Sequence, residues 1–269
     1  MICRATYIGT ATLLLEIGGL KLITDPTFDP AGACYHVGST GRMASYTSVA
    51  EPALSAEEVG TCDIVLLSHD HHGDNFDDAG RELSRKAGYV LTTQSGQKRL
   101  TGKHKLTNVQ GMKHWETKEF DTPAGFRIKV TAIPARHGPP IIAKLAAGDV
   151  IGFVLEWEGQ EKGAVYISGD TRLFRGVYDV AKRFNIGTAI LNVGAAGFWI
   201  TGPMRYTMTS KEAAKTATLL QAPQVIPLHF EGWSHFQEGR NEIIKAYEAA
   251  GLNERLTWLE RGKAMEVVF

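Results

Sequence analysis

Three histidines and three aspartates fall within ten residues, Ser68–Asp77, in the string SHDHHGDNFD. Solvated runs of charge are usually built from Lys and Glu and do not concentrate histidine. Imidazole and carboxylate together form the donor set of a borderline divalent cation such as zinc. Just upstream, Asp63-Ile64-Val65-Leu66-Leu67 has the length and β-branched content of a buried strand. The cluster therefore sits at a strand's C-terminal end, where ligand sites form in open α/β architectures.

Other elements must bring further donors to this place. Residues 3–7, 12–17 and 20–24 read as short strands, with Gly18-Gly19 as a tight hairpin and Asp25-Pro26 ending the third. Residues 28–50 are rich in Gly, Ser, Thr and Ala without a period, and form a candidate lid in which Arg42 and Tyr46 could meet a substrate. A helix is expected over 77–86, with Asn75 or Asp77 near its cap. Tyr89–Thr93 reads as a strand, followed by a short basic helix from Ser95. The alternation across 126–133 gives a half-exposed strand that runs into Pro134-Ala135-Arg136-His137. Strands at 151–157 and 163–167 lead to Ser168-Gly169-Asp170-Thr171. A helix over 173–184 and a strand over 188–193 precede a glycine-rich, aromatic stretch at 194–208. A helix capped by Thr209 or Ser210 follows, then a strand, Gln224–Leu228, that ends in His229. The aromatic string Glu231–Phe236 carries His235, ahead of a helix expected over 236–250 and strands over 256–259 and 265–268.

The histidine string resembles the H-x-H-x-D-H signature of the metallo-β-lactamase fold hydrolases. Ser68, His69 and His71 fit its opening, and Asp74-Asn75-Phe76-Asp77 fits its D-H-L-D ending with Asn75 where histidine is usual. The two registers differ by one inserted residue, which leaves His71 and His72 as alternatives. His137 in P-A-x-H, Asp170 in S-G-D-T and His229 in V-I-P-x-H follow in the family's order, so the likeness spans nearly the whole chain. It is nearest the ascorbate-6-phosphate lactonase-like and N-acylphosphatidylethanolamine phospholipase D-like branches. The resemblance implies an α/β four-layer αββα sandwich formed by 1–269 as one domain. It also implies one metal on the two early histidines and His137, and a second on Asp74, Asp170 and His229, with Asp170 shared. Asp25 would lie just behind the metals. His114 and Trp115 would flank the site, and Trp115 and His235 are taken as substrate-contacting.

Lys plus Arg equals Asp plus Glu, 29 each, which favours neither a polynucleotide nor an anionic membrane as partner. Hydrophobic residues make up 43% and charged residues 22%, an ordinary globular composition. Three scattered cysteines give no disulfide framework, and no apolar run is long enough for a membrane span. A cytoplasmic protein acting on a small molecule is expected, with a homo-oligomer left open. No nucleotide-binding glycine motif is present.

Two divalent ions about 3.5–4 Å apart lower the pKa of a shared water toward about 7 and polarise a carbonyl or phosphoryl oxygen. The resemblance thus implies a metal-dependent hydrolase that uses a metal-bound hydroxide, with Asp74 orienting it, on an ester, lactone or phosphodiester of a small or partly apolar substrate. Zinc is the first candidate, with manganese or iron as alternatives, because Asn75 removes an imidazole from the second site. A metal-binding protein without turnover, or an iron-dependent oxidoreductase on the same ligands, are the rival readings.

Overall fold

A computed structural model of the chain describes residues 3–37, 44–138 and 148–269. Two sheets face each other. The first runs β15 (Ala264–Val267), β1 (Cys3–Gly9), β2 (Thr12–Ile17), β3 (Leu20–Thr24), β6 (Ile64–Leu66), β7 (Tyr89–Thr93), β8 (Val109–Met112). The second runs β14 (Gln224–Leu228), β13 (Ile186–Asn192), β12 (Ala164–Ile167), β11 (Ile151–Trp157), β10 (Arg127–Pro134), β9 (Thr117–Asp121). Gly18 and Gly19 join β2 to β3 with φ of 58° and 89°, the two left-handed residues that a type I′ hairpin needs.

Alternate residues of one strand serve different layers. Leu13, Leu15 and Ile17 meet Ile128, Val130, Phe153 and Leu155 between the sheets, while Leu14 joins Val65 and Val90 on the outer face. That outer face is covered by α1 (Ala56–Val59), α2 (Asp78–Lys86) and α3 (Gln94–Gly102), through Val59, Leu83 and Leu100. The second sheet turns Val154, Tyr166, Ala189 and Leu191 toward α4 (Arg175–Arg183), α5 (Ser210–Leu219) and α6 (Arg240–Ala249). Strands buried on both sides must be apolar throughout, as β13 is apart from Thr188 and Asn192. The layers are αββα, as expected.

Three local expectations differ. Residues 28–50 are not featureless: β4 (Cys34–Val37) and β5 (Ala44–Thr47) pair antiparallel, and Ser48 bridges Trp233. Arg42 lies outside the described residues. Residues 256–259 form no strand, only a single bridge from Leu256 to Val225. The last helix, expected over 236–250, spans Arg240–Ala249 and is capped at Gly239, so His235 lies in the turn before it.

In the first sheet β3, β6, β7 and β8 are parallel, and in the second β12, β13 and β14 are parallel. Their C-terminal ends open toward one rim of the sandwich, together with the end of β10.

Candidate metal centre

His69 follows β6, and the turn His72–Phe76 carries the chain to α2: Phe76 N donates to His72 O at 2.9 Å. Asp77 caps α2 through Gly80 N at 2.6 Å and also accepts from Phe28 N and Asp29 N, which ties the turn to the segment after β3. Asp70 is tied to Arg99 of α3, whose Nε donates to Oδ2 at 2.9 Å and to Oδ1 at 3.2 Å, and whose Nη2 donates to Oδ1 at 2.5 Å.

On this scaffold His69, His72 and His137 form one group of potential ligands, and Asp74, Asp170 and His229 a second. His72 Nδ1 lies 3.0 Å from His69 Nε2 and 3.2 Å from His137 Nε2. His137 Nδ1 donates to the Tyr206 carbonyl at 2.9 Å, which leaves its Nε2 a bare lone pair. One proton on His72 cannot serve both contacts, whereas one cation can accept all three lone pairs. Nitrogens on a tetrahedral zinc stand about 3.3 Å apart, close to the spacing here. Burial, reinforced by the neighbouring rings, holds His69 and His72 well below the usual imidazole range. Burial also lowers His137. All three are therefore neutral donors at pH 7.

In the second group, His229 Nε2 is 3.5 Å from Asp74 Oδ2 and 3.6 Å from Asp170 Oδ2. The ring is fully buried, and neither nitrogen has a hydrogen-bond partner. Burial lowers its pKa, but Asp170, Asp74 and Asp25 outweigh that and lift it to about 9. Burial would raise Asp74, yet the His229 and His235 rings beside its Oδ2 hold it well below the carboxylate range. Asn192, at the end of β13, donates to Asp170 Oδ1 at 2.9 Å. Asp25 sits behind, accepts from Ser68 N at 2.7 Å, and is pushed up to about 8 by burial. Three buried carboxyls beside neutral or unpartnered imidazoles are a donor set that fits divalent cations. His137 Nδ1 is 4.0 Å from Asp170 Oδ2, so the two groups adjoin.

His229 is held in a left-handed backbone conformation, φ 58°, with its N–H on the Thr10 carbonyl at 2.7 Å. Such strain is characteristic of functional sites. Gly194 makes room for it, since a Cβ there would lie 2.2 Å from the His229 carbonyl oxygen.

The remaining candidates lie as follows. His71 rings against His69 and His72 at 4.9 and 4.5 Å but is outside the group of three, packed by Gly148. His235 Nε2 is 3.1 Å from Asp74 Oδ2. Trp115 is not at the centre: it lies beneath Arg183, 4.1 Å from the guanidinium, at the edge of the core under α4. His114 lines a cavity of about 550 Å³ that reaches His137, with Lys113, Arg136 and Phe174. Tyr46 stacks edge-on to His235 at 4.7 Å. Asn192 was missed by sequence reasoning. Its signal is a polar residue closing the otherwise apolar Ala189-Ile190-Leu191 run.

A family model described as the beta-lactamase superfamily domain matches residues 21–230. A UPF0173 metal-dependent hydrolase of Methanopyrus kandleri is 27% identical over 98% of this chain and 99% of its own length. Among solved structures, an isothiocyanate hydrolase from Delia radicum gut bacteria is similar at TM-score 0.78 and 22% identity, over 97% of this chain and 98% of that one. A protein described as a possible metal-dependent hydrolase from Veillonella parvula matches at TM-score 0.80 and 22% identity, over 98% and 99%. At these identities the two structures speak to the fold.

Proposed function

The chain belongs to the beta-lactamase superfamily, with the fold and the relatives of a metal-dependent hydrolase, and we propose that it cleaves an ester, lactone or phosphodiester bond of a small molecule. The observation that carries this reading is the pairing of an all-imidazole group, His69, His72 and His137, with a carboxylate-rich one, Asp74, Asp170 and His229. Divalent cations bound there would supply an acidified water and a Lewis acid for the scissile bond. Zinc suits the three imidazoles, and the oxygen-rich group also suits manganese or iron.

The chain's own residues would do the rest. Tyr206's carbonyl orients His137 through Nδ1, and Asn192 orients Asp170 through Oδ1. Asp74 presents Oδ2 to His229 and His235. Asp74 would orient the attacking water and pass its proton on to the leaving group. Substrate would enter by the cavity beside His137, where Lys113, Arg136 and His114 supply polar contacts and Phe174 an apolar wall. Among the described residues no helix is long and apolar enough to cross a membrane. Cys3, Cys34 and Cys62 are unpaired, which supports a reducing, cytoplasmic setting.

The test is an assay of chelator-stripped protein, reloaded with zinc, manganese or iron, on an aryl ester, a lactone, a phosphodiester and an isothiocyanate, the substrate of one structural neighbour. Turnover of an ester, lactone or phosphodiester that disappears on stripping and returns on reloading is expected. Turnover of the isothiocyanate alone would replace the bond type. Metal uptake with no turnover on any probe would favour a binding role.

A further inference from the structure

Arg136 stands immediately before the candidate ligand His137, and its backbone is tied to the loop that carries Asp170. Its N–H donates to Thr171 Oγ1 at 2.8 Å, and its carbonyl accepts from Arg172 N at 2.9 Å. From that anchor the half-buried side chain lays its guanidinium over the Phe174 ring, 5.0 Å from the centroid. Arg136, His137 and Phe174 all line the cavity of about 550 Å³, a volume that suits a small molecule.

Among the described residues no acid pairs with this charge. Glu212 of α5 is held by Arg172 instead, Nη2 to Oε1 at 2.7 Å. Asp149 lines the cavity, but it makes no ion pair with Arg136 or with Lys113, the second cation of the lining. Arg136 Nε is buried without a hydrogen-bond partner. A guanidinium carries five donors in a planar fork, and burying one of them unmet is unfavourable.

Other arginines of the chain are accounted for by the fold. Arg99 grips Asp70, and Arg127 grips Glu119 and Asp121. Arg183 and Arg240 stack on Trp115 and Trp258, and neither lines the cavity at His137. Arg136 alone among these combines a guanidinium without an acid and a place beside a candidate metal ligand.

The lining sets two cations, Lys113 and Arg136, against one carboxylate, Asp149. That balance suits a singly charged anion better than a doubly charged one. A carboxylate also matches the planar fork, because it accepts from two N–H groups at once. Resting on the hydrolytic reading of the site, we propose that the substrate bears a carboxylate a few bonds from the scissile bond, and that Arg136 binds it. Phe174 holds the guanidinium in place, and the cavity selects among hydrolysable molecules by charge.

The experiment compares three esters on metal-loaded protein: mono-nitrophenyl adipate, neutral nitrophenyl hexanoate, and a phosphonate analogue of the adipate. Wild type, Arg136→Gln and Arg136→Lys are used, with circular dichroism and Tm establishing that each is folded. A second readout needs no turnover: ligand-observed NMR of phenylbutyrate and its neutral amide on metal-stripped protein. Wild type should prefer adipate to hexanoate in kcat/KM by about tenfold or more. Arg136→Gln should bring that ratio toward one, chiefly through the KM for adipate. Arg136→Lys, which keeps the charge and loses the fork, should lower it less. Phenylbutyrate should bind stripped wild type better than the amide, and Arg136→Gln should remove the difference.

Equal turnover of adipate and hexanoate by wild type, or a preference that survives in folded Arg136→Gln, would overturn the proposal with the hydrolytic reading intact. A preference for the phosphonate over adipate would overturn it in favour of a doubly charged group. Phenylbutyrate binding that depends on Arg136, with no ester turned over, would uphold the carboxylate site and sink the bond type. Neither turnover nor binding that depends on Arg136 would sink both.

Discussion

Nδ1 of His72 stands 3.0 Å from Nε2 of His69, although the two residues are only three apart in a turn. The inserted residue of the histidine string is absorbed there, and His72 is the ring that joins His69 and His137. His72→Ala should therefore lose the first metal equivalent, while His71→Ala should keep it. Elemental analysis after dialysis reads the difference. The reverse pattern would return the ligand role to His71.

The two groups should respond differently to pH. The rings of the first group are all held below the usual imidazole range, so its affinity should be flat around neutrality. His229 titrates near 9 in the metal-free protein, and a cation must displace its proton. Affinity for the second equivalent should rise with pH up to about 9. Calorimetry in buffers of different ionisation enthalpy should find about one proton released with the second equivalent at pH 7. Equal proton release by both equivalents would contradict this.

The same shift carries a stability consequence for stripped protein. His229 is raised from 6.5 to about 9, so its contribution is fully present below pH 6.5 and lost as pH climbs through 9. Asp25, raised to about 8, acts in the same direction. The Tm of stripped protein should fall across this window, and that of zinc-loaded protein should fall less. A flat stripped profile would mean the carboxylates do not hold the proton on His229.

Gly194 sets the position of His229. Its φ of 85° and the 2.2 Å approach that a Cβ would make to the His229 carbonyl leave no room for alanine. Gly194→Ala should cost about 1–3 kcal/mol and weaken the second metal equivalent more than the first. Urea unfolding of stripped protein and zinc titration measure the two effects separately. A stability loss with both affinities unchanged would mean that His229 relaxes without moving its ring.

Asp77 is the anchor between the histidine turn and α2. Asp77→Ala removes a cap worth about 1 kcal/mol and leaves the buried amide of Phe28 and the half-buried amide of Asp29 short of an acceptor, at about 1–3 kcal/mol more. Chemical denaturation should show a combined loss of about 2–4 kcal/mol. A loss below that range would mean water replaces the carboxylate.

Much of this was legible in the sequence because strand ends are marked locally. Gly18-Gly19 sets a hairpin by backbone conformation alone, and Asp77 caps α2 by its own side chain. Hydrophobic alternation gives β10, and apolar runs give β2, β11 and β13. The β4–β5 hairpin was not legible, because its Tyr35 and Tyr46 pack on Trp233 from a segment almost 190 residues away. The end of the chain at 256–259 has strand-like residues, but only Leu256 finds a partner strand. At the site, His71 and His72 are chemically identical neighbours, and only the path of the turn separates them. Trp115 was assigned by position along the chain, yet its ring turns to Arg183 and the core beneath α4. Asn192 closes an apolar run, but that it donates to Asp170, and that His235 meets Asp74, is set by tertiary folding.

The most direct test of the account is the metal content of wild type and Asp170→Asn, purified without chelators, alongside hydrolysis of the ester, lactone and phosphodiester probes. The two groups adjoin through Asp170, so wild type should carry about two equivalents and turn over at least one probe. Asp170→Asn should lose at least one equivalent, together with that turnover. Wild-type protein free of metal, or hydrolysis that survives its removal, would contradict the account.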